Sequence, residues 1–410
     1  MRSVSLSQLA GVLGRLPDEP RVVTSGNHAA PLRVLSVVDE AVAEYRLYLL
    51  NAPHGIPDRE GVTYETSFVG AGMRDHPRLS YYPSRLSLVP GLLRGRLVPD
   101  VVVVHTTLPS SGTVSLGVEV NILPAAIEAA QASGGIVIAQ ANRQMPTTYG
   151  DAVLSLDAID YMVEVDEPLP VAGSRDPDPM AAAVGERVAA LVPVHATLQL
   201  GIGAIPDATL LALADRRGLR VWSEMFSDGV LALEKAGCLD PDTPVTASFC
   251  FGSAELYDWV NGNSRIRMLR TEKTNDPGRI ASHPDLVSVN SALEVDLFAQ
   301  ANASRIGPRV YSGFGGQTDF IVGALHSTGG QAIIALGSWH RRADVSTVVP
   351  LLSGPVTSFQ HSAIVTEQGT AHVWGRSATE QAQQILDHAA HPDARDGLHE
   401  AGRRLGLPLR

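Results

Sequence analysis

One carboxylate in this chain stands where a nucleophile would stand. Residues 219 to 230 read Leu-Arg-Val-Trp-Ser-Glu-Met-Phe-Ser-Asp-Gly-Val, and the mostly apolar run Leu219 to Trp222 reads as a short buried strand. Asp228-Gly229 opens the next helix, which leaves Glu224 at the carboxyl end of a strand, where α/β folds place their ligands. Taken alone, the position also reads as a glutamate on an exposed strand-to-helix turn. Its competitors for covalent chemistry are weak. No Gly-x-Ser-x-Gly elbow occurs, so a serine triad has no support. Cys238 and Cys250 sit in no loop rich in histidine or basic residues, so a thiolate nucleophile is not expected. The thirteen histidines form no HExxH-like pair, and His388 with His391 reads as a solvated helix end, so no metal site is expected.

Two glycine loops supply what a carboxylate nucleophile would need. The first, Gly201-Ile202-Gly203-Ala204-Ile205-Pro206, fails as a dinucleotide fingerprint because proline replaces the last glycine. Its bare amides ahead of a helix still favour an anion or a developing oxyanion. The second, Ser312-Gly313-Phe314-Gly315-Gly316-Gln317-Thr318-Asp319-Phe320, has three glycines in four residues and also reads as an ordinary turn. A glutamate with its ordinary pKa of about 4.3 is ionised at neutral pH and attacks without an activating base. Carboxylates of this kind form covalent acyl intermediates. On a thioester, attack gives a mixed anhydride that must be kept from water. Glycine amides would stabilise the tetrahedral oxyanion, often by about 3 to 4 kcal/mol per donor.

The elements that must position these groups alternate between strand and helix. Residues 1 to 22 begin with a helix ending near Gly14, and Val37 to Leu50 has a helical pattern. Strands are expected at Val62 to Phe68, Asp100 to Thr107, Ile136 to Ala141 and Ile159 to Val165, with helices at Pro90 to Leu97 and Leu123 to Ala132. The core of one strand, Val101 to Val104, is apolar without alternation, as in a parallel sheet covered on both faces. Glu167 to Pro179 carries four prolines and is the linker candidate, which divides the chain into domains 1–175 and 176–410. In the second half, helices are expected at Met180 to Leu191, Asp207 to Arg216, Leu231 to Ala236, Leu293 to Ala303 and Ala378 to Ala389. The strands there are His195 to Leu200, Val245 to Phe251, Leu286 to Asn290, Ala332 to Leu336 and Ala363 to Thr366. This is an α/β chain of two similarly built halves.

Bulk composition excludes several classes. With 410 residues, 44% apolar and 18% charged, the chain has the make-up of a soluble globular protein. A net charge of −11 without a basic run argues against nucleic acid and anionic membranes as partners. No apolar segment is long enough to span a bilayer, and the N-terminus lacks a signal-peptide core. Two cysteines without ligand-like spacing point to a reducing, cytoplasmic setting.

The chain resembles the acetyl-CoA hydrolase/acetate CoA-transferase family, which includes 4-hydroxybutyrate CoA-transferase. The resemblance rests on Phe68-Val69-Gly70, Ser115-Leu116-Gly117-Val118-Glu119-Val120, Asn142 to Gly150 and Ile159-Asp160-Tyr161. It continues through the Gly-x-Gly-x-Ile-Pro loop, Ser223-Glu224-Met225 with Ser227-Asp228-Gly229, and Asn290 to Leu297. The Gly315-Gly316-x-x-Asp319-Phe320 loop and Val365-Thr366-Glu367-x-Gly369-x-Ala371 complete it. It implies two open α/β domains of the CoA-transferase fold with the site in the cleft between them, and a homo-oligomer, a dimer by resemblance. It implies that Glu224 becomes a glutamyl-CoA thioester, that Gln199, Leu200, Gly201, Ile202 and Gly203 line a coenzyme A site, and that Ser312 and Gly316 contact CoA or form the oxyanion hole. CoA enters as a substrate, and no cofactor is bound permanently. Many members keep a lysine where Arg341 stands, an arginine where Thr147 stands and another where Val322 stands. Arg341 keeps the charge but not the shape. Loss of the arginine at Thr147 suggests a less anionic or differently oriented carboxylate substrate. The expected activity is CoA transfer between an acyl-CoA and a free carboxylate. An acyl-CoA hydrolase using the same glutamate is the alternative, and an inactive acyl-CoA-binding protein a third reading.

Overall fold

Runs of valine, isoleucine and leucine form the two sheets on which the molecule is built. The computed structural model describes residues 1–173, 178–356, 358 and 360–410. The chain divides into two compact units, Met1–Gly173 with Val245–Thr274, and Ser174–Pro244 with Asn275–Arg410.

In the first unit an eight-stranded sheet runs in the order Arg2–Ser3, Tyr161–Val165, Ile136–Asn142, Val101–Thr106, Arg21–Thr24, Tyr45–Tyr48, Val62–Thr66, Leu79–Tyr81. All of its pairings are parallel. Every residue of Val101–Thr106 is buried, as its unbroken apolar core predicts. Sequence order reverses between Val101–Thr106 and Arg21–Thr24, which makes the carboxyl ends of those strands a topological switch point.

In the second unit the order is Arg220–Val221, Thr197–Leu200, Leu286–Asn290, Gln331–Ala335, Ala363–Thr366, Gly369–His372. The first five strands are parallel and the last pairs antiparallel. Order reverses here between Thr197–Leu200 and Leu286–Asn290. The glycine loop after Leu200 therefore leaves the sheet at its switch point. The core includes Ile280, Leu286, Val295, Phe320, Ile334 and Ile364, all essentially inaccessible.

Three differences from the sequence reading have physical causes. Residues 245–274, expected in the second domain, belong to the first unit, where Val245–Ala247 and Ile266–Met268 build a small parallel sheet with Tyr149–Gly150. The expected linker includes residues 174–177, which lie outside the described residues. Val37 to Leu50 is not one helix: the helix Leu32–Ala41 ends at an extended Val42, and Tyr45–Tyr48 joins the sheet. Two periods overlap there, and the strand's bulky residues satisfy both. Leu293 to Ala303 forms strands Glu294–Asp296 and Ala301–Asn302 instead of a helix. Asp296 Oδ1 accepts the N–H groups of Phe298 and Gln300 and fixes a turn with Ala299 at φ 58°, a side-chain-to-backbone competition that helix periodicity does not report.

Candidate active site

Glu224 follows the strand Arg220–Val221 at the carboxyl edge of the second unit's sheet. The chain here is tied to its neighbours: Trp222 N–H donates to Leu198 O (3.1 Å) and Ser223 Oγ to Leu200 O (3.2 Å). The nucleophile candidate is thus fastened directly to the strand that carries the first glycine loop. Beneath that loop is a small apolar cavity walled in part by Leu200, Gly201, Leu210, Val221 and Met225. Glu224 is not among its walls.

Its carboxyl faces a different set of groups. Asn275 Nδ2 donates to Glu224 Oε2 at 3.0 Å, and the Gly316 N–H bonds the carboxyl as well. A Cβ on Gly316 would collide with Glu224 Oε2 and with Asn275 Nδ2, so only glycine lets the backbone approach this closely. Gly316 is also the N-cap of the helix Gln317–His326, so the carboxyl meets a helix N-terminus. The second loop is therefore shorter than expected, becoming helix at Gln317.

The expectation that Glu224 is ionised because its pKa is ordinary is corrected. The residue is partly accessible, yet protein encloses its carboxyl, and burial pushes the pKa up to about 7, helped by the charge of buried Asp319. The Asn275 and Gly316 hydrogen bonds oppose that rise by favouring the anion. Glu224 thus titrates near neutrality and is a stronger nucleophile when ionised than an exposed carboxylate.

The structure brings Glu224 and Gly316 together and sets the first loop on the adjoining strand. Gly203, at φ 126°, immediately precedes the helix Ala204–Ala212, which has no side-chain N-cap. Cβ atoms on Gly201 or Gly203 would meet nothing, so both backbones face open space, and Ile202 is exposed. Gln199 and Leu200 are buried. Gln199 Oε1 already accepts from Ser288 Oγ (2.6 Å) and Asn290 Nδ2 (3.2 Å). Ser312 Oγ donates to Ala303 O at 3.0 Å, just after the strand Ala301–Asn302. Arg341 is exposed on the turn between Trp339–His340 and Val345–Ser346, which follows the carboxyl end of Gln331–Ala335. Asn275 and the electrostatic part played by Asp319 were missed. Asp319 is visible as a carboxylate in the glycine-loop motif, whereas Asn275 follows the short helix Thr271–Thr274 and carries no local signal. Among the described residues no group of three His, Cys, Asp or Glu side chains could hold a metal ion, and no helix is long and apolar enough to cross a membrane.

Comparison with known proteins places the chain in a family. Residues 20–172 match the acetyl-CoA hydrolase/transferase N-terminal domain and residues 252–402 the C-terminal domain. The chain is 38% identical over 346 residues to the 4-hydroxybutyrate coenzyme A transferase of Clostridium kluyveri, covering 81% of this chain and 80% of that one. Its fold is similar to that of RipA from Yersinia pestis, with a TM-score of 0.91 and 27% identity over 99% of this chain and 98% of RipA. It is also similar to the 4-hydroxybutyrate CoA-transferase of Porphyromonas gingivalis, with a TM-score of 0.82 and 30% identity over 98% of both chains. With both domain models matched in order and a close relative aligned over most of its length, the chain belongs to the acetyl-CoA hydrolase/transferase family.

Proposed function

We propose that this enzyme moves coenzyme A between an acyl-CoA and a small free carboxylate, by a ping-pong route through a glutamyl-CoA thioester on Glu224. The observation that carries the reading is a carboxyl at a sheet's carboxyl edge, with a side-chain amide and a helix N-terminal glycine amide both directed at it. Glu224 attacks the thioester carbonyl, and the oxyanion collapses to a mixed anhydride and a CoA thiolate. The thiolate attacks the glutamyl carbonyl, which releases the first carboxylate and leaves glutamyl-CoA. A second carboxylate attacks that thioester, and the expelled thiolate takes up the new acyl group, restoring Glu224. One thioester replaces another, so the net free-energy change is small.

The Gly316 N–H is assigned to the oxyanion, as a donor already pressed against the reacting carboxyl. Gly201 to Gly203 offer CoA a backbone surface and a helix N-terminus, and Arg341 offers an exposed charge. Gln199 and Ser312 act by holding those loops, since their oxygens are engaged within the protein. Thr147 and Val322, where many relatives have arginine, favour a monocarboxylate acceptor. Preference for succinate over acetate or butyrate would overturn that assignment.

Hydrolysis is the second reading, because the family includes hydrolases. Enclosure of the Glu224 carboxyl favours transfer, since water must be kept from the anhydride. The test is incubation with acetyl-CoA, then hydroxylamine or borohydride, and location of the modified residue by mass spectrometry. Modification at Glu224 is expected, and an unmodified Glu224 in a protein that turns over acetyl-CoA would sink the mechanism. CoA release without an acceptor acid would identify a hydrolase.

A further inference from the structure

A second glutamate lies far outside ordinary carboxylate behaviour, and the chemistry above makes no use of it. Glu119, in the first unit, is 3% exposed. Its segment fastens together parts of the chain distant in sequence. Val120 and Asn121 N–H donate to Ser248 O (2.9 and 3.3 Å), Cys250 N–H to Val118 O (2.9 Å), and Thr271 N–H to Asn121 O (3.0 Å). Here the returning segment 245–274 docks on the rest of its unit. The Glu119 side chain reaches the loop after Arg21–Thr24, at that sheet's switch point, where Gly26 N–H donates to Oε1 at 3.1 Å. A Cβ on Gly26 would collide with Leu50 O, and Asn27 is left-handed at φ 45°, so this loop has little freedom to adjust.

The hydrogen bonds of Glu119 are lopsided. Oε1 accepts Gly26 N–H and Asn121 Nδ2 (3.3 Å), and the Asn27 side chain also bonds the carboxyl. Among the described residues Oε2 has no hydrogen-bond partner, and neither has Asn121 Oδ1, the other oxygen of the same side-chain pair. Two buried acceptors without donors are costly. Among the described residues no counter-charge acts on the carboxyl. Beside the Gly26–Asn27 turn, His28 is stacked on Phe251 with its pKa lowered by burial, and His105, bonded to Ala29 O, is pushed down to about 4. On the segment that includes Thr271, Arg270 pairs with Glu128 and Glu272, and Lys273 with Asp151. An ionised Glu119 would thus be a buried, unpaired charge.

One proton resolves all three difficulties. We propose that Glu119 is a neutral carboxylic acid in the folded protein, its Oε2–H donating to Asn121 Oδ1 while Asn121 Nδ2–H donates to Oε1. The two planar groups then form a closed acid–amide pair that fixes the Gly26–Asn27 loop and the docking of 245–274. Exchanging N and O of the Asn121 amide changes which oxygens meet, but still leaves one pair of acceptors that only a proton can join. Burial, which pushes Glu119 up to about 7, acts in the same direction.

The experiment uses full-length protein carrying Glu224→Gln, which removes the other raised glutamate, with and without Glu119→Gln. A carboxyl whose folded pKa lies above its unfolded value stabilises fully below about 4.3 and loses that stabilisation as pH rises through about 7. Glutamine copies the neutral acid, because its amide N–H can donate to Asn121 Oδ1. The Tm of the double variant relative to its parent is expected to rise by several degrees between pH 5 and pH 8.5. The parent at pH 6 is expected to show an infrared band of a protonated carboxylic acid that Asn121→Ser displaces, which keeps the test alive should the double variant not fold. A Tm difference equal at every pH, or a band absent or untouched by Asn121→Ser, overturns the proposal. So does a Tm at pH 8 that rises in potassium or sodium over tetramethylammonium, because a cation would then hold the site.

Discussion

Glu119 and Glu224 invite comparison because burial drives both to the same pKa, about 7, although their accessibility and neighbouring charge differ. Glu119 is sealed in, with donors crowded on one oxygen and none on the other. Both accept a glycine N–H and an asparagine amide, but Glu224 is partly accessible, lies at a helix N-terminus, feels the charge of Asp319, and has a glycine backbone pressed against it where any side chain would collide. A perturbed pKa alone therefore does not mark a nucleophile. What separates the two is accessibility and the Gly316 backbone, at a helix N-terminus, set against the Glu224 carboxyl.

The strongest way to break that distinction is to neutralise each glutamate in turn. Glu224→Gln should lower CoA transfer by about 10⁴-fold or more, because glutamine cannot form the acyl intermediate, while the fold persists. Glu119→Gln should leave kcat within about twofold at pH 6, the pH at which its neutral form is already populated. Comparable losses from both would erase the distinction. Next in size, Gly316→Ala should cost about 10²- to 10³-fold in kcat by pushing the Glu224 carboxyl aside and moving a donor. Steady-state kinetics beside a thermal melt would separate this from unfolding. Asn275→Ala should cost about tenfold at pH 7. Its hydrogen bond holds the Glu224 pKa down, so without it the rising acid limb of the kcat/KM profile should move to higher pH and activity should partly recover near pH 9.

The fold and part of the site are legible in the sequence, whereas the contrast between the two glutamates is not, for reasons that particular residues show. Val101–Val104 announced a parallel sheet because four consecutive apolar residues need cover on both faces. Glu224 stood out through its address at a strand end and through the lack of rival nucleophiles. Gly316 was suspected as part of a glycine cluster, but the reason it must be glycine, a carboxylate against its Cα, exists only in three dimensions. Asn275 lies fifty-one positions beyond Glu224 in the chain, and no periodicity joins them. The pKa of Glu224 was misjudged because burial of a carboxyl is a property of packing, which a strand-end motif does not report. Glu119 was read only as a letter in a motif. Its meaning rests on Gly26 and Asn121, and on residues 245–274, which follow the other unit's first stretch of chain in sequence.

Asp319 gives the smallest effect and the finest discrimination. It lies buried in the first turn of the helix that Gly316 caps, and its charge raises the Glu224 pKa on top of the larger effect of burial. No charge does the same to Glu119. Asp319→Asn should therefore move the acid limb of kcat/KM downward, by less than about one pH unit, since neighbouring charge is the lesser cause. Below pH 6.5 the variant should gain a few-fold over the parent, because more Glu224 is ionised. Above pH 8 it should fall slightly behind, because a carboxylate of lower basicity is a weaker nucleophile. A merely structural role for Asp319 predicts loss at every pH without a displaced limb. The pH dependence of Tm assigned to Glu119 should survive Asp319→Asn unchanged, because that titration is set by burial and by one amide. A displaced limb with an unmoved Glu119 titration would show that one fold raises two glutamates by separate means, one adjustable by charge and the other only by packing.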